Sequence, residues 1–290
     1  MKRETLQSAK HVTSLDGTSI GYQSFGSGSG VVLVEGAMGT AENYRQLAFA
    51  LADQFTVHVP DRRGRGMSPR PYDAKHSIDD DVEDLRCVLE HTQSRYLFGL
   101  SSGAMIVLEG LRQGLRVERA AVYEPPFYLD GMSHDDIQRF NAQVERKQLA
   151  AALVTVMGIV RLGPPLVRFV PQWLLRVGAG LALRADSRRS TPYARLSELI
   201  PAMRYDLNVV ASMNHHLNDL RVVNTPVLLM GGDRSPDYLK TSILTLKKLL
   251  PVVELVELVD ADYSAPWNDD LNGRPVQVGR ALQDFFAPGH

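Results

Sequence analysis

The chain has 290 residues, 44% hydrophobic and 22% charged, with 32 Lys plus Arg against 33 Asp plus Glu and a formal net charge of −1. That length suits one large α/β domain or a core carrying an insertion, and near-neutrality gives no global drive toward nucleic acid or an anionic membrane. One cysteine, Cys87, excludes an internal disulfide and a cysteine-rich metal site, MKRETLQSAK lacks the apolar core of a signal peptide, and no run approaches the roughly 20 apolar residues of a membrane span, so a soluble, cytoplasmic protein is expected.

HVTSLDGTSIGYQSFGSG alternates apolar positions around an Asp-Gly pair, which predicts a hairpin. GVVLVEGA is a continuous apolar run, suited to a strand buried on both faces. AENYRQLAFALADQ has helical spacing, FTVHVPD reads as a strand, and SIDDDVEDLRCVLEHT is an amphipathic helix with acidic residues at its N-terminus. RYLFGL, GAMIVLEGLRQG and VERAAVYEPP continue the alternation as strand, helix and strand. Near Pro125 the pattern changes: residues 127–219 carry helical periodicity and no convincing strand. It returns with TPVLLMGGD, the helix DYLKTSILTLKKLLP, the strand VVELVELVDAD and the helix GRPVQVGRALQDFF. The expected fold is α/β, a mostly parallel central sheet with helices on both faces. Its core is 1–126 and 220–290, interrupted by a helical insertion over 127–219.

LFGLSSGAM contains Gly99-Leu100-Ser101-Ser102-Gly103, a G-x-S-x-G sequence between a strand and a helix. A serine on so tight a turn needs small neighbours, and the helix that follows aims its amides at negative charge forming beside it. With these residues, with VVLVEGAMG and VPDRRGRGMS, and with LLMGGDRSP and VDADYSAPW in serine, acid, base order, the chain resembles the α/β-hydrolase superfamily over nearly all its length. The resemblance implies Ser101 as nucleophile and the backbone N–H groups of Ala37 and Ser102 as an oxyanion hole. It implies an acid at Asp233, after the seventh strand, or at Glu124, after the sixth, with Asp233 in the usual place. The insertion becomes a cap.

Two positions depart from the family pattern. Tyr263 stands where relatives carry the histidine base, and Glu35-Gly36 replaces the usual His-Gly of the oxyanion loop. A phenol of pKa near 10 is about 0.1% ionised at pH 7, which disfavours its base form by roughly 4 kcal/mol. Tyr263 is therefore expected to act as a general acid or hydrogen-bond donor. Glu35 is expected either to carry a proton beside the reaction centre or to form an ion pair with Arg62 or Arg63. His215 and His216, at the end of the insertion, are alternative bases, while His58 reads as a packed strand residue. No H-x-x-H spacing supports a metal site, and no nucleotide, flavin or metal cofactor is expected.

The insertion is rich in Leu, Val and Ala, includes Phe169 and Trp173, and from Arg139 to Arg221 holds 12 Lys plus Arg against five Asp plus Glu. Such a cap suits a small, largely apolar substrate, and its charge suits an anionic carrier such as coenzyme A or a carrier protein. Three readings follow: a non-hydrolytic cyclase, lyase or isomerase with Tyr263 and Glu35 as proton carriers; a serine esterase, thioesterase or lactonase using Ser101 with a substituted base; and a non-enzymatic small-ligand binding protein.

Overall fold

The computed structural model describes residues 9–161, 170–213 and 215–287. Eight strands form one sheet in the order β1-β2-β4-β3-β5-β6-β7-β8. The Asp16-Gly17 turn joins β1 (Lys10–Thr13) to β2 (Ser19–Gly26) as the expected antiparallel hairpin, and β2 also runs antiparallel to β4 (Phe55–Pro60). All other neighbours are parallel: β3 (Ser29–Val34), β5 (Tyr96–Leu100), β6 (Arg119–Tyr123), β7 (Val227–Gly232) and β8 (Val253–Leu258). The apolar runs of β3, β5, β6 and β7 follow from burial on both faces, whereas β8, at the sheet edge, alternates with glutamates and is largely exposed. One face packs on α2 (Ile78–Thr92), α3 (Ser102–Arg112) and α8 (Asp237–Leu249), and the other on α1 (Arg45–Leu51) and α9 (Pro275–Phe286).

Register places the chemistry. Val34 lies beside Gly99, Leu100 beside Tyr123, Tyr123 beside Met230, and Gly232 beside Leu258. The residues that follow each strand, namely Glu35, Ser101, Glu124, Asp233 and the 259–263 loop, therefore emerge together at the carboxyl edge of the sheet, where open α/β sheets place ligands.

Between β6 and β7 the chain forms α4 (His134–Glu145), α5 (Leu149–Ile159), α6 (Gln172–Arg188) and α7 (Leu196–Met213). These helices enclose a separate apolar cluster around Phe140, Val156, Ile200, Met203 and Leu207. α7 carries the buried stripe Leu199, Met203, Asp206, Val210 and Met213, and its C-terminal half joins the main core. Trp173 is 67% exposed and not part of the cavity wall, and Phe169 lies outside the described residues. Among the described residues no helix is long and apolar enough to cross a membrane.

The tightest constraint is at the start of α3. A Cβ on Gly103 would lie 2.4 Å from the Glu35 carbonyl oxygen and 2.6 Å from that of Val34. Both obstacles are backbone, so neither can swing aside. Gly103→Ala is expected to cost about 3 kcal/mol, read as a lower urea midpoint; an unchanged midpoint would contradict this packing.

Candidate active site

Ser101 is held in a left-handed conformation, φ 53° and ψ −118°, between β5 and α3. A non-glycine residue there is strained, and the surrounding hydrogen bonds hold it: the Ser101 N–H donates to the Tyr123 carbonyl at 2.9 Å, and its own carbonyl accepts from the Met105 N–H at 3.1 Å. Gly99 leaves room for this turn, since a Cβ there would lie 2.7 Å from the Gly103 carbonyl oxygen. Ser102 is the first residue of α3, so its N–H has no intrahelical acceptor. Ala37, on the loop after β3, lines the same cavity beside Met38, itself left-handed at φ 60°. The buried Tyr44 hydroxyl accepts from the Gly36 N–H at 3.1 Å and steadies that loop from below.

Tyr263 lines the cavity beside Ser101, near enough for the serine hydroxyl to act on its phenol. The phenol oxygen also lies against the loop after β3, where a Cβ on Gly36 would be 3.1 Å from it. Trp267 packs edge-on to the Tyr263 ring at 5.7 Å. Burial pushes the phenol well above its ordinary value of 10, the Ser101 hydroxyl opposes this only in part, and negative charge at Asp206 and Glu124 adds to the shift. Tyr263 is thus a protonated hydroxyl at neutral pH.

The two acid candidates differ in where their carboxylates go. Glu124 is fully buried and left-handed at φ 48°. Its Oε1 accepts from the Gly232 N–H at 2.9 Å and from the Ser235 hydroxyl, while Oε2 has no partner among the described residues. Burial raises its carboxyl to about 7 against the pull of those two donors. Asp233 turns outward. Its carboxylate accepts from the backbone N–H groups of Asp260 and of Ala261, the latter at 3.2 Å, and those bonds lower its pKa. It does not line the cavity around Ser101.

Beneath the loop after β3 lies a buried network of charge. Arg62 donates to Asp206 Oδ1 at 2.7 Å, to the Ser102 hydroxyl at 3.1 Å and to Asp81 at 3.2 Å. Arg65 donates to Asp206 Oδ2 at 2.8 Å and to the Gly36 carbonyl at 3.3 Å. Glu35 is fully buried here. Its Oε1 accepts from the Arg62 backbone N–H at 2.8 Å and stands 3.5 Å from Arg65 Nε, while Oε2 has no partner among the described residues. The expected ion-pair partners, the Arg62 and Arg63 side chains, are committed elsewhere. Arg62 goes to Asp81 and Asp206, Arg63 to Asp84 and Asp16, and Arg65 takes the place beside Glu35. Burial and then Asp61 push the Glu35 carboxyl well above its ordinary 4.5 against Arg65 and the Arg62 amide.

Ser101, Ser102, Ala37 and Tyr263 converge on one cavity of about 580 Å³ between the sheet edge and the insertion. Its wall is mainly apolar, with Met38, Met132, Met203, Leu207, Tyr128 and Tyr238 among its residues, and it holds no histidine or lysine among the described residues. Sequence reasoning missed Asp206, although it is the lone carboxylate on an otherwise apolar stripe of α7. A charge at a buried stripe position has to be paired. His215 and His216 are not brought to this cavity. They follow α7 beyond Met213, where His215 is exposed and His216 pairs with Asp219 at 2.9 Å. His58 bonds to Ser24 at 3.0 Å inside the sheet, and burial holds it at about 4. Among the described residues no group of three His, Cys, Asp or Glu is placed to hold a metal ion.

The chain belongs to the alpha/beta hydrolase family, whose sequence profile matches residues 31–274. An N-formylmaleamate deformylase of Pseudomonas putida is 24% identical over 273 residues, covering 86% of each chain. A cis-3-alkyl-4-alkyloxetan-2-one decarboxylase of Shewanella oneidensis is 32% identical over 83 residues, 28% of this chain and 26% of that one. An alpha/beta hydrolase of Sphaerobacter thermophilus superposes with a TM-score of 0.76 at 26% identity, covering 96% of this chain and all of that one.

Glu35 gives a pH test. A carboxyl whose folded pKa is raised binds its proton more tightly in the native state, so its contribution is complete in acid and declines as pH rises past 4.5. Glu35→Gln, permanently neutral and of the same shape, is expected to match or exceed the parent's stability at about pH 8 and to lose that margin toward about pH 4.5. Thermal unfolding across that range decides it. A variant that weakens increasingly as pH rises would mean that an ionised Glu35 holds Arg65.

Proposed function

We propose that the chain is a cofactor-free enzyme acting on a small, largely apolar carbonyl compound by a non-hydrolytic route: a cyclisation, lyase or isomerase reaction. One observation carries the reading: a half-buried, protonated Tyr263 hydroxyl lines the same cavity as Ser101, and the described wall of that cavity offers no histidine. The substrate carbonyl oxygen sits between the N–H groups of Ala37 and Ser102 and the Tyr263 O–H. Three donors fixed in a water-poor site stabilise an enolate or alkoxide as it forms, and they do so without reorganising. Ser101 and Tyr263 form a two-hydroxyl relay that carries the proton released by the substrate's own enolising carbon or attacking hydroxyl to that oxygen, so the developing charge is neutralised and no proton is left over. The helical insertion acts as a cap, and its apolar wall selects a neutral, apolar skeleton. Glu35, facing the Asp61–Ser68 turn, supports the oxyanion loop in this reading and leaves the proton work to Tyr263.

The family carries both kinds of chemistry by name, a deformylase and a decarboxylase among the relatives, so fold alone does not choose. A second reading, a serine esterase, thioesterase or lactonase, is favoured by Glu124. Its buried, unpartnered Oε2 is the acid that a histidine at position 263 would need behind it.

An activated aryl acetate separates the two. The parent is expected to hydrolyse it no faster than Ser101→Ala does. Tyr263→His is expected to raise the Ser101-dependent rate by about 100- to 10,000-fold, the range a positioned general base supplies. A parent that already turns the ester over through Ser101 overturns the non-hydrolytic reading in favour of the second. In the Tyr263→His background, Glu124→Gln is expected to abolish most of the gain and Asp233→Asn to leave it; the reverse result would restore Asp233 as the acid.

A further inference from the structure

Among the described residues, the insertion reaches Ser102 beside the candidate reaction centre through one charged side chain. Asp206, 2% exposed, sits on the α7 stripe among Met203, Leu207 and Val210. Its Oδ1 accepts from the Ser102 hydroxyl at 2.7 Å and from Arg62 at 2.7 Å; its Oδ2 accepts from Arg65 at 2.8 Å. Arg65 in turn donates to the Gly36 carbonyl at 3.3 Å. The two segments that carry the candidate oxyanion amides, Gly36–Ala37 and Ser101–Ser102, are thus tied to the same carboxylate. That carboxylate belongs to neither segment.

We infer that Asp206 is a positioning residue through which the insertion sets the spacing of the oxyanion hole, so that seating α7 and assembling the hole are one event. The inference rests on the reading of Ser101 as the reaction centre. Burying this charge gains little stability over an apolar side chain of similar volume, because desolvation offsets most of the ion-pair attraction. A leucine would continue the α7 stripe, yet it would leave Ser102, Arg62 and Arg65 without a shared acceptor. The α7 helix also has other ties to the core: Asn208 donates to the His76 carbonyl at 2.7 Å, and Tyr205 packs edge-on to His76 at 4.7 Å. Seating of the helix and setting of the hole can therefore be separated by mutation.

Hydrogen exchange measured on the full chain tests this without a substrate. Asp206→Asn keeps the side chain's shape and removes its charge. Amides at 36–39 and 101–104 are expected to exchange about 10- to 100-fold faster, the effect of losing a hydrogen bond to a charged group, while amides at 205–210 change less than about threefold. Acceleration confined to α7, or none, overturns the inference. If Asp206→Asn does not fold, Ser102→Ala removes one leg of the bridge. Faster exchange at 101–104 then supports the inference, and no change overturns it.

A kinetic arm adds Asp206→Asn to Tyr263→His with the aryl acetate. A positioning role lowers kcat by about 10- to 100-fold with KM held within about threefold. A rise in KM alone would assign Asp206 to substrate binding and overturn the inference. If Tyr263→His has no esterase activity at all, the reading of the reaction centre fails, and the exchange experiment still decides the role of Asp206.

Discussion

The site depends on how closely the backbone of α3 approaches the ends of β3 and β5. Gly103 lets the first turn of the helix lie against the carbonyls of Val34 and Glu35, and Gly99 lets the strand bend into it. No side chain larger than hydrogen fits at either contact. Because of that approach, Ser101 is held in a left-handed conformation beside the loop after β3, at the N-terminus of α3. The strain at Ser101 is offset by the ladder bond to Tyr123 and by core packing around α3, which is buried from Ser102 to Leu111.

Electrostatics complete what packing begins. Two arginines from one turn, Arg62 and Arg65, neutralise Asp81 and Asp206 beneath the loop. Burial alone would raise the Asp206 carboxyl, but Arg65, Arg62 and the Ser102 hydroxyl hold it at about 2. Glu35 and Glu124 lie in the opposite regime, where desolvation outweighs the donors that reach them. Tyr263 follows the same logic: a phenol in a dry wall with carboxylates nearby keeps its proton. Among the described residues, the cavity lining therefore has donors and no histidine or lysine, which disfavours ordinary ester hydrolysis.

Most of the fold was legible because the signals were local. Apolar runs such as GVVLVEGA and TPVLLMGG mark strands covered on both faces, and the G-x-S-x-G turn has a steric cause that five residues suffice to express. Direction was not legible. Glu124 and Asp233 each follow a parallel strand by one residue, and only the left-handed backbone at Glu124 turns its carboxyl inward. His215 and His216 look available in sequence because they end the insertion, but α7 meets the start of α3 through Asp206 and Ser102, more than two turns earlier along the chain. Arg65 could be told from Arg62 and Arg63 only by the tight turn that points the three side chains to different partners. Trp173 reads as pocket material by composition, yet its face of α6 is turned to solvent.

The central claim is that Tyr263 works as a protonated donor. A near-ultraviolet titration of phenolate absorbance, comparing the parent with Tyr263→Phe, isolates this one phenol from the ten tyrosines of the chain. The account predicts that the two curves coincide up to about pH 10, because this hydroxyl stays protonated through that range. A phenolate present in the parent and missing from the variant between about pH 6 and 9 would contradict it. Tyr263 would then be a base, and the serine hydrolase reading would stand in its place.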